Sequence, residues 1–323
     1  MDKWDGKGLT NFYQRLLMLS FVLLLGACSS GEAELEGELL TTERRLSELT
    51  DALNIGSLRN AVTIKQYVGI LRQREPKFAP LLAELEKEAS LANPLYKSLQ
   101  ARFDAVRDNT ENFDSWVEKV EELKLIQAAS NVGAFNDALS DTVNVIADLS
   151  QGELPRVNSV SKEAELAMNK SKDYGAGSQY IGNPHYGRWS HSSGGSFWAF
   201  YGQYHFFSTM FGGRRNYYND WSGGRGYSYY SDIGRNSYTS RSQKVGQRDV
   251  QQRAKKQFGS KGNFKSPYAK SRSGATGMSK ASVAQQKSAF KSRYAKSGST
   301  TSKYRSSTRN SGFRTSRGRS RGK

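Results

Sequence analysis

Phe78-Ala-Pro-Leu-Leu-Ala-Glu-Leu-Glu-Lys-Glu-Ala-Ser-Leu-Ala-Asn-Pro-Leu-Tyr-Lys-Ser-Leu-Gln-Ala-Arg-Phe-Asp-Ala-Val106 is the stretch whose reading decides the fold. Phe78, Leu81, Leu82, Leu85, Ala89 and Ala92 fall at i, i+3, i+4 and i+7, the stripe of an amphipathic helix. Asn93-Pro94 then supplies an N-cap residue with proline at the first helical position. A second stripe follows as Leu95, Leu99, Phe103 and Val106.

The same period extends to both sides. Upstream lie Leu35, Leu39, Leu46 and Leu49, then Leu58, Val62, Val68 and Leu71. Downstream lie Phe113, Trp116, Val117, Val120 and Lys124 (the last at a solvent edge), then Phe135, Ala138, Leu139, Thr142, Ile146 and Leu149. Breaks at Asn54-Ile55-Gly56, Glu75-Pro76, Asn109-Thr110 and Gln151-Gly152 are short, which favours antiparallel neighbours. The expectation is a mainly α chain: a helical bundle or helical hairpins, followed by a Gly/aromatic-rich segment and a disordered basic tail. Glu118, Glu121 and Glu122 read as a solvated face, and nothing local to any carboxylate predicts a raised pKa.

Charge and aliphatic content divide the 323 residues unevenly. Residues 28–172 hold 17 basic and 24 acidic side chains, a net of −7. Residues 173–323 hold 28 basic and 4 acidic ones, a net of +24. The last leucine is Leu166, and neither Leu nor Ile occurs from Arg235 to Lys323. So few aliphatic side chains argue against folding on their own, because ordering the backbone costs about 1–2 kcal/mol per residue. The single cysteine, Cys28, excludes a disulfide framework. The expected organisation is a signal segment over 1–27, an acidic helical domain over 28–172, a Gly/aromatic segment over 173–234 and a disordered Lys/Arg/Ser-rich tail over 235–323. The body is expected to keep its helices when the chain is cut at Gly234.

At the N-terminus Lys3, Lys7 and Arg15 precede an apolar run from Leu16 to Leu25, too short for a bilayer-spanning helix of about 20 residues. Leu25-Gly26-Ala27-Cys28 follows directly. This junction resembles the lipobox of the bacterial lipoprotein class, and the resemblance covers only about residues 1–30. It implies lipidation of Cys28 and a membrane anchor through the N-terminal lipid. With Ser29 after the cysteine, it implies sorting to the outer membrane, facing the periplasm or displayed at the surface. Three acyl chains anchor firmly where one is marginal.

Between Tyr180 and Tyr230 there are 17 aromatic residues in 51 positions. Trp189, Trp198, Tyr201, Phe206, Phe207 and Trp221 are candidates for an interface with a protein or a membrane, since large rings with polar tips suit such surfaces. Packing on the bundle, glycan stacking and low-complexity self-association are the other readings of this segment. His185, His191 and His205 lie here with no recognised ligand spacing, and Ser190-His191-Ser192 has no placed acid. No catalytic residue, metal site or cofactor is expected, and the chain is not expected to be an enzyme.

From Arg235 onward 24 Lys and Arg stand against Asp249 alone. Phe264-Lys-Ser-Pro-Tyr-Ala-Lys-Ser271 returns 26 positions later as Phe290-Lys-Ser-Arg-Tyr-Ala-Lys-Ser297. Rings spaced among cations suit a flexible polyanion binder: charges track the anions and rings stack. The candidate binding residues are Phe264, Lys265, Tyr268, Lys270, Phe290, Lys291, Arg293, Tyr294, Lys296, Arg314, Arg317, Arg319 and Arg321. With Cys28 read as an anchor, the anions expected are envelope polymers (lipopolysaccharide, acidic phospholipid or peptidoglycan), and nucleic acid only if the protein is surface-exposed. The expected role is tethering, with two alternatives: an accessory subunit that docks a protein partner through the helical body, or a surface adhesin. Radiolabelled palmitate is expected to enter the protein, and Cys28→Ala to release it from membranes; a variant still membrane-bound and a parent free of label would refute the anchor.

Overall fold

In the computed structural model, residues 7–210 and 214–295 are described, with side chains from Gly31 to Ser288 apart from Met210 and Lys261. Residues 1–6 of the expected signal segment, the Cys28 side chain, and the side chains of Phe290, Lys291, Arg293 and Tyr294 lie outside that set, as do Lys296, Arg314, Arg317, Arg319 and Arg321 altogether. The chain is mainly α. A long helix α1 (Lys7–Asn54) is followed by α2 (Arg59–Arg74), α3 (Ala79–Lys87), α4 (Pro94–Arg107), α5 (Trp116–Ser130), α6 (Val132–Ala138), α7 (Ser140–Leu149) and α8 (Lys162–Asn169). A hairpin of β1 (Gly187–Ser192) and β2 (Gly195–Phe200) comes next. Then follow α9 (Phe206–Met210), α10 (Tyr218–Gly224), α11 (Arg235–Tyr238), α12 (Arg241–Phe258) and α13 (Lys280–Ala295). Among the described residues no helix is long and apolar enough to cross a membrane.

The expected stripes form the core of the first half. Leu49, Ile64, Val68, Leu82, Leu85, Leu99, Leu123, Ile126, Phe135 and Ile146 are buried, and α1 packs along α5. Asn93 caps α4 through its side-chain oxygen, which accepts from Leu95 N at 2.7 Å and Tyr96 N at 3.2 Å. Three details differ from the periodic reading, the first being Val62 of the stripe from Leu58 to Leu71, which is 38% exposed. Ser115 caps α5 at Glu118 N, so the helix starts at Trp116 and leaves Trp116 and Val117 each 44% exposed. The stripe from Phe135 to Leu149 is divided at Leu139, where Ser140 Oγ donates back to Asp137 O at 2.5 Å.

The Gly/aromatic segment packs on the bundle. Trp198, Phe207 and Trp221 are buried, Trp189 and Phe206 are half-buried, and of the six rings expected at an interface only Tyr201 is exposed. Tyr180 stacks on Tyr186 at 3.7 Å between centroids, and Phe207 meets Tyr180 and Phe200 edge-on or tilted. Phe207 lies directly over Gly177, whose φ of +88° and missing Cβ make room for it. In the hairpin Trp189 pairs with Trp198, and both Tyr218 and Trp221 pack against Trp189. Burying a large apolar side chain is worth about 1.5–3 kcal/mol, so this many rings can replace the missing leucines.

Residues 235–288, placed in the expected disordered tail, are folded onto the same core. The capping box of Ser240 and Gln243 starts α12, and Ala254 and Gln247 of that helix are buried. Tyr238 is buried and donates to Ala129 O at 2.8 Å. Tyr268 is buried against Trp221, with the Arg235 guanidinium over its ring at 3.6 Å. Asp137 accepts from Ser279 N at 2.8 Å and from Ser282 Oγ at 2.7 Å, and Gln285 donates to Ala128 O. A low aliphatic count did not prevent folding because the helical half supplies the surface on which Tyr238 and Tyr268 are buried. A chain ending at Gly234 is expected to lose its cooperative thermal transition in circular dichroism, whereas an unchanged transition would mean that residues 235–288 add nothing to the core.

Candidate polyanion-binding surface

The first copy of the repeat, residues 264–271, separates its rings from its lysines. Phe264 is half-buried against the core and Tyr268 is buried, while Lys265 and Lys270 are exposed. Phe264 and Tyr268 are thus anchors of the loop and are not free to stack on a ligand, contrary to the sequence expectation. The physical reason is the ring area that Trp221 and Arg235 cover. The loop is clamped along α12: Gln251 Nε2 donates to Ser266 Oγ at 3.1 Å, and Arg235, which covers Tyr268, donates to Gln247 at 2.7 Å.

Alongside that loop, α12 exposes Arg248, Arg253, Lys255 and Lys256. With Lys265 and Lys270 they make six exposed cations, and among the described residues none of the six is within ion-pair distance of a carboxylate. Asp249 is the one acid on this helix. Sequence reading missed the four α12 cations because they stand in a Gln/Lys/Arg stretch without aromatic repeats. Their signal was the Ser-x-x-Gln capping box at 240–243.

Arg188, Arg214, Arg215, Lys280 and Lys287 are exposed as well, whereas Arg225 is taken up inside. Arg225 forms a two-bond fork with Asp232 (2.6 and 2.8 Å) and donates from Nε to Pro267 O at 2.8 Å. In the helical half Arg102 pairs with Glu122 at 2.6 Å, which puts Glu122 in the core and not on the solvated face expected for it. Arg156 bridges Asp148 and Glu165 at the wall of a cleft of about 660 Å³, where Lys162 also pairs with Asp173. That cleft therefore presents its strongest charges already neutralised, and it is a weaker candidate than the α12 face.

Three buried carboxyls, Glu88, Asp141 and Glu165, have pKa values raised by burial that no local sequence signal announced. Glu88 is fully enclosed; burial raises its carboxyl to about 7, opposed by donors Tyr204 (2.7 Å) and Tyr186 (3.0 Å), with Glu84 adding to the rise. Burial likewise raises Asp141 to about 7, against the backbone N–H groups of Tyr230 and Tyr229 that it accepts from at 3.0 and 2.7 Å. His185 moves the other way: burial lowers it to about 4, and its Nε2 is taken up by Tyr238 O at 2.8 Å. These groups join the aromatic segment to the helices. No family model, curated protein or solved structure matches the chain.

Glu88 gives a signed pH dependence. Its folded-state value is raised, so its stabilisation is complete below the ordinary value of 4.5 and is lost as pH rises toward about 7. Glu88→Gln is expected to melt level with the parent near pH 4 and to gain on it steadily up to pH 7. A melting-temperature gap that stays constant over that range would exclude the ionisation as its source.

Proposed function

We propose that the chain is a lipid-anchored tethering protein of the bacterial cell envelope that binds an anionic envelope polymer and performs no chemistry of its own. The observation that carries this reading is the row of unpaired cations on α12 and its clamped loop. Elsewhere in the same half, guanidinium groups such as Arg225 are matched to carboxylates. Cations left unpaired on a folded surface attract a polymer of phosphates or carboxylates and release its counterions on contact. The lipobox-like Leu25-Gly26-Ala27-Cys28 supports an envelope location, where lipopolysaccharide, acidic phospholipid and peptidoglycan supply such anions. Residues 296–323 add further lysines and arginines to the sequence with no acid among them. The binding mode is electrostatic tracking by a rigid helix, with the rings of the first repeat holding the lysine loop in place.

The full chain is expected to co-sediment with purified peptidoglycan or lipopolysaccharide at low salt, with affinity falling steeply as salt rises. Replacing Lys255 and Lys256 by Gln is expected to flatten that salt dependence while leaving the melting temperature unchanged. Absence of binding to every such polymer at low ionic strength would end the tethering reading.

A further inference from the structure

Trp116 is among the most exposed large rings of the described residues, and it sits at the point where the folded body meets the N-terminal part of α1. Its indole lies flat across Gly31: a Cβ placed there would be 2.9 Å from Trp116 Cε2 and 3.1 Å from Nε1. Gly31 itself is buried, while Trp116 and the neighbouring Val117 are each 44% exposed. Both belong to the first turn of α5, fixed in place by the Ser115 cap.

Position 28 lies three residues before Gly31 on the same helix. At 1.5 Å of rise per residue this is about 4.5 Å along the axis, and positions three apart share a helix face. A lipid carried at position 28 therefore leaves no room for a spacer between the bilayer and the Gly31–Trp116 contact. We propose that Trp116 and Val117 form a bilayer-contact corner that seats the body directly on a leaflet of net-neutral lipid. The proposal rests on the lipid-anchored reading above.

Tryptophan prefers the headgroup level, where an apolar ring meets a polar N–H. The charges around the corner select the kind of leaflet. Exposed Glu32 follows Gly31 on α1, and exposed Asp114 and Glu121 stand on either side of Trp116 in sequence. Glu34 is held by Lys124 at 3.2 Å, and Glu118 by Arg241 at 2.5 Å. The unpaired charges at this end are therefore mainly negative, with half-buried Lys119 the nearby exception on α5. This corner, unlike the α12 face, repels a strongly anionic leaflet and does not repel a neutral one.

The test couples the full chain through its only thiol, Cys28, to maleimide-headgroup lipid in phosphatidylcholine vesicles with brominated acyl chains. Bromine is expected to quench part of the tryptophan emission of the parent, and Trp116→Phe is expected to lose that part. Val117→Glu, which keeps the indole, is expected to reduce the quenching. Mixing in phosphatidylglycerol is expected to reduce it as well. Equal quenching of the parent and Trp116→Phe on neutral vesicles overturns the proposal, as does quenching that grows with the anionic fraction. Palmitate labelling in cells reads the anchor separately: absence of label there, with quenching intact on the coupled vesicles, overturns lipid anchoring and leaves the contact corner standing.

Discussion

The constraint on which the rest of the structure depends is the lack of leucine after Leu166. A chain in that position buries area mainly with rings, beside the few aliphatics Ile181 and Ile233, and most of the rings available are tyrosines whose hydroxyls must find partners when they leave water. Tyr180 donates to Thr142, Tyr186 and Tyr204 to Glu88, and Tyr238 to Ala129 O, while Tyr229 shares a bond with Ser282. Three of these run from the aromatic segment to the helical half, and a fourth reaches it from α11. The same side chains that supply area thus also fix position. The Glu88 carboxyl is the receptor for two of them, which is why it is buried without a cation beside it.

Across the two halves, among the described residues, Arg241 of the basic half meets Glu118 of the acidic half, while the enclosed pairs each lie within one half. Those pairs are Arg225 with Asp232 within the segment and Arg102 with Glu122 in the helices. Arg102 also donates to Ser237 O, so this pair joins α4, α5 and α11. Pairs at this depth cost desolvation that the geometry must offset, and they contribute specificity of arrangement more than net stability. What remains outside is the set of cations that no acid reaches.

Helices α2, α4 and α5 were legible because amphipathic period is a local property, read from Leu58 to Leu71 or from Leu95 to Val106 without reference to anything distant. Asn93-Pro94 was legible for the same reason. The aromatic segment was not, since Trp198 and Phe207 become core only through partners such as Trp189, Tyr180 and Phe200 that no period links to them. Composition misled for residues 235–288. A low aliphatic count measures whether a segment can fold alone, and Tyr268 folds against Trp221 and Arg235. Of the candidate binding residues, Lys265 and Lys270 stand exposed as expected. Phe264 and Tyr268 do not, because a ring beside a core is worth more buried than free.

Helix α12 gives the two charged regions their separation. It begins beside the acidic corner, where Arg241 pairs with Glu118 and covers Phe113. Lys255 lies 14 residues further along the same unbroken helix, about 20 Å at the usual rise. The Debye length is about 10 Å at moderate ionic strength, so the carboxylates around Trp116 do little to neutralise Lys255 and Lys256. An acid cluster at that range neither satisfies the cations nor screens them from an incoming anion. A disordered tail of equal charge would have been free to collapse onto the acidic helices. Held in a helix whose inner face is Gln247 and Ala254, the cations keep their distance.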